Sequence, residues 1–369
     1  MTQNGIQTMS IIGQLMLLAL LAVLGACETK SVSPLTTGLP STATTALVSP
    51  ATQQPIDVKV GLLNIAGDIG IYTALERGYF AEEGIQVELV PFRSGQEQIP
   101  MLATAQIQFG TASLDVSLLN AVARDINLHI IQDKGKPSIY QGAGVVVRAD
   151  LYANGTLDEV AKLKGRTIGL SVFGNTSHMF LETALQRAGI SIDDVSLITL
   201  PVSNMPAALA NGALDAAWMF EPFTAQTIMS GAGRMLIDSS EIAPHFYSQF
   251  LLVAEQFAQQ NPGAVCRFVT AHLRGQRDYY RAFISGERVD DREILISYMR
   301  KYTAIKDRTI YDWMGYSAVD PNGYVDPTVL EEFQDWAVQK GYLSQRVDIR
   351  RLVDRRYMQC AIERLGLYH

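Results

Sequence analysis

The sequence predicts an α/β protein of two similar lobes with a ligand cleft between them. Three observations lead there. Short apolar, β-branched runs alternate with helix-like segments, which is the pattern of βαβ units around a mostly parallel sheet. The alternation runs twice, over residues 56–145 and again over 146–243. Finally, "GIQVELVPF…IPMLATAQIQFG" superposes on "GISIDDVSLITLP…MPAALANGALDAAW" with one small insertion, a repeat of a whole lobe and not of a short solenoid unit.

From the N-terminus, Ile11 to Ala26 is apolar apart from Gln14 and two glycines, and its 16 residues fall short of the ~20 that a membrane-crossing helix needs. The run reads as the apolar region of a signal peptide over residues 1–26. "LGAC", Leu24 to Cys27, resembles the lipobox of bacterial lipoproteins, with cleavage before Cys27 and lipid attached to it. The preceding segment, Met1 to Gln14, departs from the pattern in having no Lys or Arg. Residues 27–55 are rich in Ser, Thr and Pro and nearly free of aromatic residues, so they bury too little apolar surface to order themselves; they read as a disordered tether. Lipid plus tether would hold a soluble body at a membrane surface without spanning it.

The first lobe opens with strand "VKVGLL" (58–63), loop "NIAGDIG" and helix "IYTALERGYFAEEG" closed by glycine. Strand "IQVELVPF", helix "GQEQIPMLATAQ", strand "IQFGTA", helix "LDVSLLNAVARD" and strand "NLHIIQD" follow. The second lobe repeats the order: "GRTIGLSVFG", "NTSHMFLETALQRAGI", "VSLITLP", "NMPAALANG", "ALDAAWMF" and "EPFTAQTIMSG". Residues 244–369 then return to lobe one and read as successive amphipathic helices packing back on it.

Net charge is -7, and no Lys/Arg run occurs, which argues against a nucleic-acid partner. Besides Cys27 there are Cys266 and Cys360, and spacing alone leaves their pairing open. His129, His178, His245, His272 and His369 are scattered without metal-ligand spacing, and GxSxG, Walker A and CxxC motifs are absent from the sequence. No catalysis, metal or cofactor is expected.

"LNIAGDIGIYTALERGYFAEEGIQVELVPFRSGQEQIPMLATAQIQFG", with "LKGRTIGLSVFGNTSHMFLETALQRAGI", "ALANGALDAAWMFEPF" and the crossover strand "GVVVRAD", resembles the SsuA/THI5-like (NMT1) branch of ABC-importer substrate-binding proteins over residues 56–255. The resemblance implies periplasmic-binding-protein lobes of type II. It also implies delivery to a membrane permease with its ATPase, and a ligand among alkanesulfonates, taurine, nitrate, thiamine-precursor pyrimidines and riboflavin. One branch of that superfamily makes the thiamine pyrimidine with a cysteine-rich motif that this sequence lacks.

In open α/β sheets the ligand sits beyond the carboxyl ends of the strands. The loops there are 64–70, 93–96, 111–115, 171–177, 202–205 and 219–223, and they supply the candidate ligand contacts Asn64, Asp68, Ser94, Gln96, Ser113, Asn175, Thr176, Glu221 and Phe223. Ser94, Ser113, Thr176 and Ser203 serve equally as helix N-caps. Arg93 is the one cation in these loops, against Asp68, Asp115 and Glu221, while Tyr72, Tyr140, Phe173 and Trp218 add rings. Acids with rings and few cations suit a planar heteroaromatic ligand better than a small anion, so riboflavin leads, ahead of a thiamine-type pyrimidine, with sulfonate, taurine or nitrate as the alternative. Trp218 at a strand end and Tyr72 in a first helical turn fit a packed core as readily as a ligand wall.

Overall fold

The computed structural model describes residues 55–126, 128–135, 142–246 and 249–369. Among them, ten strands form two five-stranded sheets. Lobe one holds β1 (Ile56–Leu62), β2 (Ile85–Pro91), β3 (Phe109–Ser113), β4 (Leu128–Gly135) and β10 (Gln249–Ala254), in the order β2-β1-β3-β10-β4. Lobe two holds β5 (Gly144–Arg148), β6 (Thr167–Leu170), β7 (Ser196–Thr199), β8 (Ala216–Met219) and β9 (Gly233–Asp238), in the order β7-β6-β8-β5-β9. The two orders are the same plan. In each, four strands run the same way, and the fifth, antiparallel to both its neighbours, enters just after the chain has crossed over from the other lobe: β5 between β8 and β9, β10 between β3 and β4.

Sequence explains the strands locally. In β1, Val58, Val60 and Leu62 are buried while Asp57 and Lys59 face out, the period-two pattern of a strand with one covered face. In β5, Val145, Val146 and Val147 are all fully buried, as a central strand covered on both faces requires. Parallel pairing of β1 with β2 and β3 needs crossover connections, supplied by helices Ile69–Glu76 and Gln98–Ala103. β9 and β10 lie outside the segments read as strands from sequence.

The C-terminal third buttresses lobe one. Helices Pro262–Tyr279 and Arg292–Tyr302 pack on Ile69–Glu76, and Arg356–Leu365 packs on Pro262–Tyr279. Cys266 and Cys360 join those last two helices in a disulfide with a Cα–Cα distance of 5.9 Å, which resolves the pairing left open by spacing. Two C-terminal helices also reach lobe two: Ile310–Trp313 lies on Phe223–Met229, and Pro327–Gln339 touches both Val116–Ala123 and Thr176–Arg187. There the indole of Trp336 donates to Glu182 (2.8 Å), which also pairs with Lys340. Among the described residues no helix is long and apolar enough to cross a membrane. Cys27 and the tether lie outside the described residues.

Candidate functional site

The carboxyl ends of the two parallel sets face each other, and the helices that follow them meet across the cleft. Asp115 caps helix Val116–Ala123, accepting from Leu118 N–H (2.9 Å), and Asn175 caps Thr176–Arg187, accepting from His178 N–H (3.1 Å). These equivalent caps sit opposite one another. Val116 N–H donates to Gly174 O (2.8 Å) and Thr176 N–H donates to Leu114 O (3.2 Å), so backbone hydrogen bonds join the lobes directly.

Two spaces open around this junction. The inner one is a cavity of about 50 Å³, walled by the loop Ile65–Gly67 of lobe one, by Thr176, Ser177, Phe180, Trp218, Phe220 and Glu221 of lobe two, and by Gln249, Tyr279 and Met314 to Ser317. The outer one is a vestibule of about 500 Å³, lined by Asn64, Phe92, Arg93, Ser94, Ser113, Asp115, Asn175, Val202, Phe223 and Lys306 among others. Ile65, Phe220 and Gln249 border both. At roughly 10–15 Å³ per water, the inner cavity has room for a few heavy atoms.

Charge is handled differently on the two sides. Asp68 accepts from Lys134 Nζ (2.6 Å), both side chains being almost wholly buried, and from the N–H groups of Leu63 and Ile65. Lys134 also donates to Gly67 O, so this pair fastens the cavity loop from behind. On lobe two, Glu221 accepts from Ala225 N–H (3.0 Å) and Gly315 N–H (2.8 Å). Burial pushes its pKa up to about 8, beyond what those two bonds offset. Burial likewise raises Asp115, despite its bonds from the Ser117 hydroxyl and the Leu118 N–H. Trp218, 1% exposed, lines the inner cavity, and its indole N–H is buried without a hydrogen-bond partner.

Of the residues expected from sequence, Thr176, Trp218 and Glu221 line the inner cavity, while Asn64, Ser94, Ser113, Asn175 and Phe223 line the vestibule. The others are elsewhere. Asp68 is behind the loop in its ion pair and lines neither space. Tyr72 is fully buried and stacked on Tyr302 (4.7 Å between centroids), because its helix turns that face toward the C-terminal helices. Gln96 donates to Phe173 O across the cleft (3.4 Å), and Phe173 itself is exposed over a separate groove with His178 and Tyr342. Tyr140 is outside the described residues. The rings expected to sandwich a flat ligand are therefore not gathered around one space. Sequence reasoning missed Ser177, Phe180, Ser239, Gln249, Tyr279 and the Met314–Ser317 segment. Only the Gly-Ser punctuation of "MGYS" hinted at a loop there.

A family model described as NMT1/THI5 like matches residues 66–281. The chain belongs to this family. It is 26% identical over 232 residues to a putative binding protein of Brucella abortus, covering 62% of this chain and 69% of that one. It is also 26% identical over 283 residues to a putative aliphatic sulfonates-binding protein of Escherichia coli, covering 73% and 83%. The solved periplasmic nitrate-binding protein from Synechocystis PCC 6803 superposes with a TM-score of 0.70 at 15% identity, covering 85% of this chain and 90% of that one. That likeness establishes the two-lobe fold of such binding proteins.

Proposed function

We propose that the protein is the substrate-binding component of an ABC importer. Lipid on Cys27 holds it at the extracytoplasmic face of the membrane, and it captures a small organic sulfonate between its lobes for delivery to a permease and its ATPase. It captures and releases; it performs no chemistry. The observation that carries this reading is the inner cavity. It is enclosed by both lobes at the start of helix Thr176–Arg187 and is lined by Trp218, whose buried indole N–H has no partner. A sulfonate head offers three acceptor oxygens and one diffuse negative charge, which the N-terminal end of a helix and buried N–H donors favour. The rings of Phe180 and Phe220 suit an attached carbon body.

Family membership and the sulfonate-binding relative support this ligand class over the flat vitamin expected from sequence. Riboflavin draws no support from those relatives, nor from the dispersed positions of Tyr72, Phe173 and Trp218. Titration calorimetry against ethanesulfonate, taurine, nitrate and riboflavin tests the reading. Saturable binding of a sulfonate, without riboflavin binding, is the expected result; binding of riboflavin alone contradicts it.

A further inference from the structure

An anion in the inner cavity meets a charge problem. Among the described lining residues there is no Lys, Arg or His, yet there is a carboxyl, Glu221. That side chain has nowhere to turn. One oxygen accepts from Gly315 N–H and the other from Ala225 N–H. On a third side Gly142 lies so close that a Cβ there would stand 2.0 Å from Oε1. Lys134, the nearby buried cation, is spent on Asp68 behind Gly67. A carboxylate held this way would share with the incoming anion a small space into which the described lining residues bring no cation, and like charges in such a space repel strongly.

We infer that ligand capture is linked to a proton on Glu221: the cavity admits the anion only while the Glu221 carboxyl is protonated, and the carboxyl O–H then donates to the ligand. This deepens the sulfonate reading and rests on it. A protonated carboxyl keeps lone pairs on both oxygens, so the bonds from Gly315 and Ala225 survive. Burial already holds the proton on Glu221 at neutral pH. Among the described residues, the other titratable groups around it are Asp238, raised by burial and bonded by Ser240, and the phenols of Tyr279 and Tyr316, both raised by burial and therefore neutral. His178, on the adjoining helix, is lowered by burial and is also neutral.

The sign follows from linkage. Affinity should be level while Glu221 is protonated and should weaken by about tenfold per pH unit once the pH exceeds about 8, because only the protonated fraction binds. The test is calorimetry of the full chain with ethanesulfonate, which does not itself titrate, across this pH range and in buffers of different ionisation enthalpy. About one proton taken up per ligand bound near pH 9 is the expected result. Glu221→Gln should abolish the pH dependence whatever its affinity, whereas Asp238→Asn should retain it. If Glu221→Gln does not fold, the proton count of the unmodified protein decides alone. A level affinity with no proton uptake overturns the linkage and leaves the sulfonate reading intact. Absence of sulfonate binding at every pH overturns both.

Discussion

At the cleft edge of lobe one, the loop after β1 is fastened from inside: Lys134 reaches up from β4 to Asp68 and Gly67 O, and the charge is consumed within the lobe. The facing wall of lobe two, after β6 and β8, carries an unpartnered indole, a carboxyl held neutral by burial and the start of a twelve-residue helix. The two lobes share a strand plan but divide the work. Lobe one is braced by its ion pair, by the C-terminal helices and by the Cys266–Cys360 link; lobe two keeps the hydrogen-bonding capacity left over for a ligand.

Breaking the brace gives the largest expected effect. Lys134→Met leaves Asp68 buried and uncompensated, which should cost about 3–5 kcal/mol of stability in denaturant unfolding. The double variant Lys134→Met/Asp68→Leu should recover a large part of that loss. If the single variant unfolds like the unmodified protein, the ion pair is not the brace of lobe one.

How much of this division was legible in sequence depends on the residue. Alternating segments and the lobe repeat revealed the strand–helix order because each run is local and its period is strong. The caps were misplaced by one to three residues: Ser113, Thr176, Ser94 and Ser203 were the expected N-caps, but Asp115 and Asn175 cap their helices, Glu97 and Asn204 stand at the cap positions of the other two, and Asp115 had been weighed only as a charge in the crevice. Trp218 was ambiguous because all four residues of β8 are buried, so alternation cannot say which face meets the cleft. Tyr72 was misplaced because the partner of its helix face, Tyr302, lies far along the chain. Tyr279 and Met314 to Ser317 carry no local sign of a site; they arrive there by the way the C-terminal helices fold back.

A second, smaller effect sharpens the comparison. Removing the disulfide by Cys266→Ser/Cys360→Ser releases a loop of 94 residues in the unfolded chain and should lower stability by about 2–4 kcal/mol. Because Cys266 lies near the start of its helix and the cavity residue Tyr279 at its end, sulfonate affinity at a temperature where the variant is folded should be unchanged. A parallel loss of affinity would mean that the brace and the ligand wall are not separate.

The smallest expected effect falls on the ligand wall itself. Trp218→Phe keeps a ring and deletes the N–H, so it should weaken sulfonate binding by about 1.5 kcal/mol, roughly tenfold, as for one hydrogen bond to a charged group. The measurement that reads this contact most directly is the indole N–H signal of Trp218 in a nitrogen-edited NMR spectrum, assigned by its disappearance in Trp218→Phe. Addition of ethanesulfonate should move that signal saturably, with the dissociation constant found by calorimetry, while the indole of the exposed Trp313 stays in place. Ethanesulfonate binding with the Trp218 signal unmoved would contradict capture in the inner cavity.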